Sequence, residues 1–243
     1  MLPPERKNQQ TDVPLAHYLA RYRALDPREA ASRCALAFDG AASAFSLRLM
    51  GTEYRASFPG FDVRDGVGRG LRNPYERILL ARYLCEGRHI APRGAQLAYQ
   101  EIPWGQVYYA SFRGRCIERL ARAFGADAGG LKRAAESLAI CAEPLVAGDA
   151  AYRFEFMSGL YMSVLLWGAD DEFPASAQML FDDNFAAAFT AEDIAAAGEI
   201  AIARLKEAAV GGARVSFEFL EETAARQRRA TEFLEGTRHI GRD

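Results

Sequence analysis

Apolar residues recur at helical spacing in VPLAHYLARYRAL, so the chain is predicted to open its fold with a helix after a disordered leader over residues 1–12. Asp26-Pro27 starts a second helix, with Pro at its first position. After Gly40 the period changes. Phe45, Leu47 and Leu49, then Tyr54, Ala56 and Phe58, alternate with other residues, and Gly51 and Pro59-Gly60 supply turns. This pattern predicts antiparallel strands near 44–50 and 53–58 with one buried face. Asn73-Pro74 opens another helix, NPYERILLARYLCEG, whose apolar stripe ends at Gly87. VYYASFRGRCIERLARAFG reads as a long helix stopped by Gly125, and GGLKRAAESLAICAE as a further one.

Strand character returns in AYRFEFMSGLYMSVLLW. Tyr152, Phe154 and Phe156 alternate, Ser158-Gly159 forms a hairpin-type turn, and Leu160 to Trp167 is apolar on both faces. Such a run fits a central strand covered on each side. Segments 152–157 and 160–167 should therefore join the same antiparallel sheet. Thr190-Ala-Glu-Asp193 caps a helix running to about 209, with Glu192 and Asp193 in its first turn, and a last helix is expected over 215–236. Strands flanked by helical blocks without a βαβ rhythm predict one α+β domain over 13–243, with an antiparallel sheet of short strands packed against several helices.

Composition narrows the class. Half of the 243 residues are hydrophobic and 26% are charged, which is an ordinary globular balance. A net charge of −2 points to neither nucleic acid nor an anionic membrane. The charges are segregated, however. Phe154 to Ala203 holds nine acidic residues and no Lys or Arg, whereas Arg64 to Arg133 holds thirteen basic residues against six acidic. The four cysteines (Cys34, Cys85, Cys116 and Cys141) form no C-x-x-C and no metal-ligand spacing with the three histidines, so they read as buried thiols in a reducing compartment. The polar N-terminus has no signal-peptide pattern, and Leu160 to Trp167 is too short to cross a bilayer. These features place the protein in the cytoplasm.

Candidate chemistry concentrates in LLWGADDEFPASAQMLFDDNF, where Asp170, Asp171 and Glu172 follow Trp167 at the end of the apolar strand. Three readings stand. The carboxylates sit at the positive end of a short helix begun by Pro174, they form a divalent-cation or acid–base site, or they pair with arginines of the basic segment. The spacing lacks the alternation and Gly of a calcium loop. Asp182 and Asp183 read as turn formers, and Gly66 to Gly70 as a surface turn rather than a phosphate loop. Trp104, Tyr108, Tyr109, Arg113 and Arg115 cluster aromatic and cationic groups that suit either core packing or a planar or anionic ligand. Desolvation beside a buried strand demands a cationic partner for the triplet. Arg113 or Arg115 is therefore expected to pair with Asp170, Asp171 or Glu172, closing a cleft lined by Trp104, Tyr108 and Trp167.

LLWGADDEFPASAQMLFD, TAEDIAAAGE, ILLARYL, PWGQVYYASFRGR and LARAFG, in their order along the chain, resemble the domain-of-unknown-function family 3786 over roughly residues 35 to 208. The resemblance implies a member of a family, itself uncharacterised, that belongs mainly to anaerobic bacteria and archaea. Some members carry an N-terminal four-cysteine motif similar to that of corrinoid iron–sulfur proteins. Residues 1 to 40 here hold only Cys34, so no iron–sulfur cluster is expected. The function expected is a ligand- or partner-binding module of anaerobic metabolism linked to corrinoid or iron–sulfur enzymes. A metal-assisted enzyme using Asp170, Asp171 and Glu172 and a structural oligomerising protein are the alternatives. The partner is a small molecule or a protein rather than nucleic acid or membrane, and the sequence leaves the oligomeric state open.

Overall fold

The computed structural model describes residues 11–138, 140 and 142–211. The helix expected over 215–236 and the residues of the leader up to 10 lie outside them. Helix α1 (Asp12–Arg23) begins inside the stretch expected to be disordered, and Thr11 is itself buried. Helix α2 (Pro27–Cys34) is fixed at its start by Asp26, whose carboxylate accepts the N–H groups of Arg28 and Glu29 at 2.8 and 3.0 Å.

Nine strands form one antiparallel sheet: β1 (Ala37–Asp39), β2 (Ala44–Leu49), β3 (Thr52–Ser57), β4 (Val63–Asp65), β5 (Gln96–Ala98), β6 (Glu143–Pro144), β7 (Ala150–Met157), β8 (Leu160–Trp167) and β9 (Ser176–Asp182). The spatial order is β4-β3-β2-β7-β8-β9-β5, with β1 also on β2 and β6 also on β7. The four strands expected from alternation are present. Their even-numbered apolar residues in β8, Leu160, Met162, Val164 and Leu166, are fully buried. The short helix expected at Pro174 is absent. Residues 176–182 instead pair with β8 from Trp167↔Ser176 to Met162↔Phe181, because Met179 and Phe181 alternate into the core as strand residues do.

Helix α3 (Pro74–Glu86) is capped by Asn73 and buries Leu79, Leu80, Tyr83 and Leu84. Helix α4 (Gly105–Phe112) runs through a π-helical turn (Arg113–Ile117) into α5 (Glu118–Phe124), and α6 (Ala128–Ser137) and the single turn α7 (Phe185–Ala188) follow. Helix α6 stops at Ser137, short of the extent expected from its sequence. The chain is helical again from 191 through 211 (α8), with Asp193 accepting both the N–H and the hydroxyl of Thr190 at 2.9 and 2.6 Å. Ile194, Ala197, Ala201 and Leu205 bury one face of α8. Gly198 lets this helix approach the π-turn, since a Cβ there would lie 2.8 Å from Cys116 Sγ.

The two halves of the sheet meet at one paired position, Leu49↔Met157, where a bulge interrupts β7 between Glu155 and Met157. The seam is braced by charge. Glu155 is 3% exposed and takes both Arg48 Nε and Arg48 Nη2 at 2.9 Å, while its Oε1 also accepts the N–H of Gly159 at 2.8 Å. Backbone bonds from Met50 N–H to the Phe156 carbonyl (2.8 Å) and from Ser158 N–H to the Arg48 carbonyl (3.2 Å) complete it.

Removing Arg48 strands a buried carboxylate, an effect that costs about 3–5 kcal/mol where both partners are buried. Arg48 is close to half exposed, so Arg48→Ala should fall toward the lower end of that range. Urea unfolding of Arg48→Ala and of Glu155→Gln checks this, with the second variant expected to lose less because it keeps an acceptor for Gly159.

Candidate functional site

Asp170, Asp171 and Glu172 are exposed, and none of them is in an ion pair among the described residues. Asp170 Oδ1 instead accepts the N–H groups of Glu172 (2.9 Å) and Phe173 (2.7 Å), which curls the loop on itself. The loop is tied down by its backbone. Gly168 N–H bonds Asp149 Oδ2 at 2.7 Å, and Ala169 N–H reaches the Gly125 carbonyl at 3.4 Å. The expected pairing with Arg113 or Arg115 therefore fails for a clear reason: solvated carboxylates need no buried cation. Arg113 pairs with Glu118 at 3.2 Å and Arg115 with Glu192 and Glu199. No cluster of three or more His, Cys, Asp or Glu side chains among the described residues is placed to hold a metal ion.

The aromatic candidates disperse as well. Trp104 is 75% exposed and holds a left-handed φ of +67° at the start of α4. Tyr108 is about half exposed, Tyr109 leans on Phe112, and Trp167 is partly exposed at the end of β8. Phe112 goes to the core, stacked on Tyr99 with centroids 3.9 Å apart. Asp182 and Asp183, expected to be turn formers, carry ion pairs. Asp182 is buried and grips Arg153 Nη2 at 2.6 Å, and Asp183 accepts the Arg93 N–H at 3.0 Å.

Of the sequence candidates, Arg115 lines a substantial cleft. This space of about 650 Å³ lies between the π-turn, the first turn of α3 and one face of α8. The π-turn adds a residue to the helical circuit and so rotates Arg115 relative to α4; such turns recur at functional sites. All three guanidinium nitrogens of Arg115 are committed: Nε and Nη2 to Glu199 Oε2 at 3.1 and 2.7 Å, and Nη1 to Glu192 Oε1 at 2.8 Å. The Glu199 hydrogen bonds raise the pKa of the guanidinium above its ordinary value, so its charge is permanent. Its work is to hold the π-turn against α8. Arg119 is held far more loosely, 3.7 Å from Glu199, and it lines the same cleft. Ala196, Ile200 and Ala203 of α8 make an apolar floor, and half-exposed Tyr75 lines the same cleft.

Sequence reasoning missed Arg119, Tyr75 and the α8 floor. Ala196, Ile200 and Ala203 at i, i+4 and i+7 were a readable stripe, but they look like core on a helix that does bury another face.

The chain matches, over residues 26–204, the family described as domain of unknown function (DUF3786). It belongs to that family. No curated protein and no solved structure matches it. Among the described residues no helix is long and apolar enough to cross a membrane.

The thiols add nothing to the cleft chemistry. Burial pushes Cys34 and Cys85 up to about 11 and Cys116 up to about 12, and all three are unbridged. Thiolate is therefore scarce at neutral pH. Ellman's reagent should titrate no more than one of the four cysteines in the native protein, since Cys141 lies outside the described residues, and all four after unfolding.

Proposed function

We propose that this protein is a ligand-binding module whose site is the cleft beside α8, and that its ligand is a small amphiphilic acid. One observation carries the reading: a loosely held arginine, Arg119, stands beside an apolar floor while its neighbour Arg115 is fully spent on Glu192 and Glu199. Arg119 can turn to a ligand carboxylate at little cost, because a partly exposed pair at that distance contributes only about 0–1 kcal/mol. The ligand's apolar body would lie on Ala196, Ile200 and Ala203 and gain from burial at roughly 25 cal/mol per Å². Tyr75 offers a ring face to a planar body.

Glu192 and Glu199 set the specificity of this arrangement. They repel a second acidic group, so a monoacid fits better than a diacid. A cytoplasmic setting and a link to corrinoid or iron–sulfur enzymes belong to this proposal through the sequence features and the family resemblance alone.

Titration calorimetry with acetate, hexanoate and benzoate tests the reading. Affinity should rise from acetate to the two acids with apolar bodies. Arg119→Gln should weaken binding by about tenfold, the scale of one charge-assisted hydrogen bond. Ala203→Leu, which fills the floor, should abolish it. Equal affinity for the three acids, or an Arg119→Gln protein that binds as the wild type does, would overturn the assignment.

A further inference from the structure

A second cavity, of about 540 Å³, lies over the seam between β2 and β7, away from the residues that line the α8 cleft. Its walls include Ser46 and Arg48 from β2, Glu53 and Arg55 from β3, the Ser158-Gly159 turn and His89. His89 is positioned with unusual care. Its N–H bonds the Arg33 carbonyl at 2.9 Å. Arg33 is itself anchored on the last carbonyls of α3, with Nη2 on Leu84 at 2.7 Å and Nη1 on Cys85 and Gly87 at 3.1 Å. The next residue, Ile90, is held through its carbonyl by the Nδ2 group of the fully buried Asn184 at 3.2 Å, and the same group bonds the Gly159 carbonyl at 3.1 Å. Gly159 adopts φ +78° and brings its backbone against the imidazole, where a Cβ would lie 2.8 Å from Cε1.

Among the described residues this fixed ring has no hydrogen-bond partner, and its Nδ1 is buried. Leaving a buried polar atom unpaired costs about 1–3 kcal/mol, and native structures leave few such atoms without a protein, water or ligand partner. An unpaired buried acceptor is tolerated better than an unpaired buried N–H, which favours the tautomer with its proton on Nε2. The ring lines the cavity and is part-exposed while Nδ1 is not, so the accessible edge is the one bearing Nε2. His89 therefore has Nε2 available as a donor to the cavity.

The charges around it select the ligand. Arg48 is tied to buried Glu155, and Glu53 stands directly across from Arg48 in the β2–β3 register. Arg55 lies across from Ser46 in the same register, both on the exposed face, and among the described residues its ion partner is the exposed Asp39 at 2.9 Å. Such a surface pair is weak, so Arg55 is readily recruited.

We propose that this cavity binds a small oxyanion, a phosphate or a carboxylate, through His89 Nε2–H, the Arg55 guanidinium and the Ser46 hydroxyl. Glu53 then faces the far side of the ligand, where it accepts from a hydroxyl and excludes a second anionic group.

The experiment follows the imidazole ¹H–¹⁵N signals of the labelled full-length protein, in which only three histidines contribute. The His89 signals are assigned by their loss in His89→Gln. Inorganic phosphate and acetate are titrated separately, with sodium chloride as the ionic-strength control. A saturable shift of the His89 signals with phosphate alone assigns a phosphate-bearing ligand, and with acetate alone or with both a carboxylate-tolerant one. Chloride should give none. Arg55→Gln, an exposed substitution, should weaken the saturating anion by about tenfold, whereas Arg119→Gln should leave it unchanged, which separates this site from the α8 cleft. The absence of a saturable shift with either oxyanion, or unchanged binding in Arg55→Gln, overturns the proposal.

Discussion

The buried carboxylate of Glu155 is the constraint on which the architecture depends. A charge 3% exposed in the middle of a sheet is tolerable only when its oxygens are filled, and here they are filled by the Arg48 fork and by the Gly159 N–H. Those bonds fix three things together: the junction between β2 and β7, the bulge that follows Glu155, and the tight turn into β8. The backbone seam supplies a single Leu49↔Met157 pair, too little to set the register of a nine-stranded sheet by itself. The ion pair adds direction to a junction that hydrophobic burial would leave free to slide. It also places Gly159 against His89, so the seam that closes the sheet is the seam that builds a cavity.

Charge segregation along the chain becomes charge pairing in the fold, though not at the carboxylates that stand out in the sequence. The acidic segment does meet the basic one: Glu192 and Glu199 hold Arg115, Asp193 holds Arg82 at 2.8 Å, and Asp183 holds Arg93. Burial decided which acids took part. Asp193 is buried, and that burial outweighs Thr190 and Arg82 in raising its pKa, so a partner matters there. Asp170, Asp171 and Glu172 are the densest acidic run and sit in water, where Coulomb attraction at contact is worth only about 1 kcal/mol. A run of like charges is a poor guide to a buried site because mutual repulsion drives it outward.

What could be read from the sequence follows element length. β2, β3, β7 and β8 are six to eight residues long and show their alternation, and the capped starts at Asp26, Asn73 and Thr190 were legible as short polar signals. β1, β4, β5 and β6 have two or three residues each and exist only because a neighbour offers a free edge. β9 carried a readable alternation through Met179 and Phe181, but Pro174 and the flanking acids imitated a helix start. The π-turn had no signal, since VYYASFRGRCIERL keeps helical composition throughout, and the close approach of Cys116 to Gly198 at that turn joins residues far apart in the chain. His89 was equally silent. Its role comes from Arg33, Gly159 and Asn184, which lie 56, 70 and 95 positions away and converge only in three dimensions.

Helix α3 connects the two candidate sites and determines how they can relate. Its first turn, through Asn73 and Tyr75, lines the α8 cleft, and its last carbonyls anchor Arg33 beneath His89. At 13 residues it spans about 20 Å. The helix is capped by Asn73, pinned along its length by core contacts of Leu79, Leu80 and Leu84, and bound to α8 from its first turn by the Glu76–Arg204 pair at 2.7 Å. Communication between sites needs an element with two arrangements that both ligands can bias. A helix held at both ends and the middle offers one arrangement. α3 therefore acts as a spacer that sets a fixed distance between the cleft beside α8 and the cavity beside His89, and ligands at the two proposed sites are expected to bind independently.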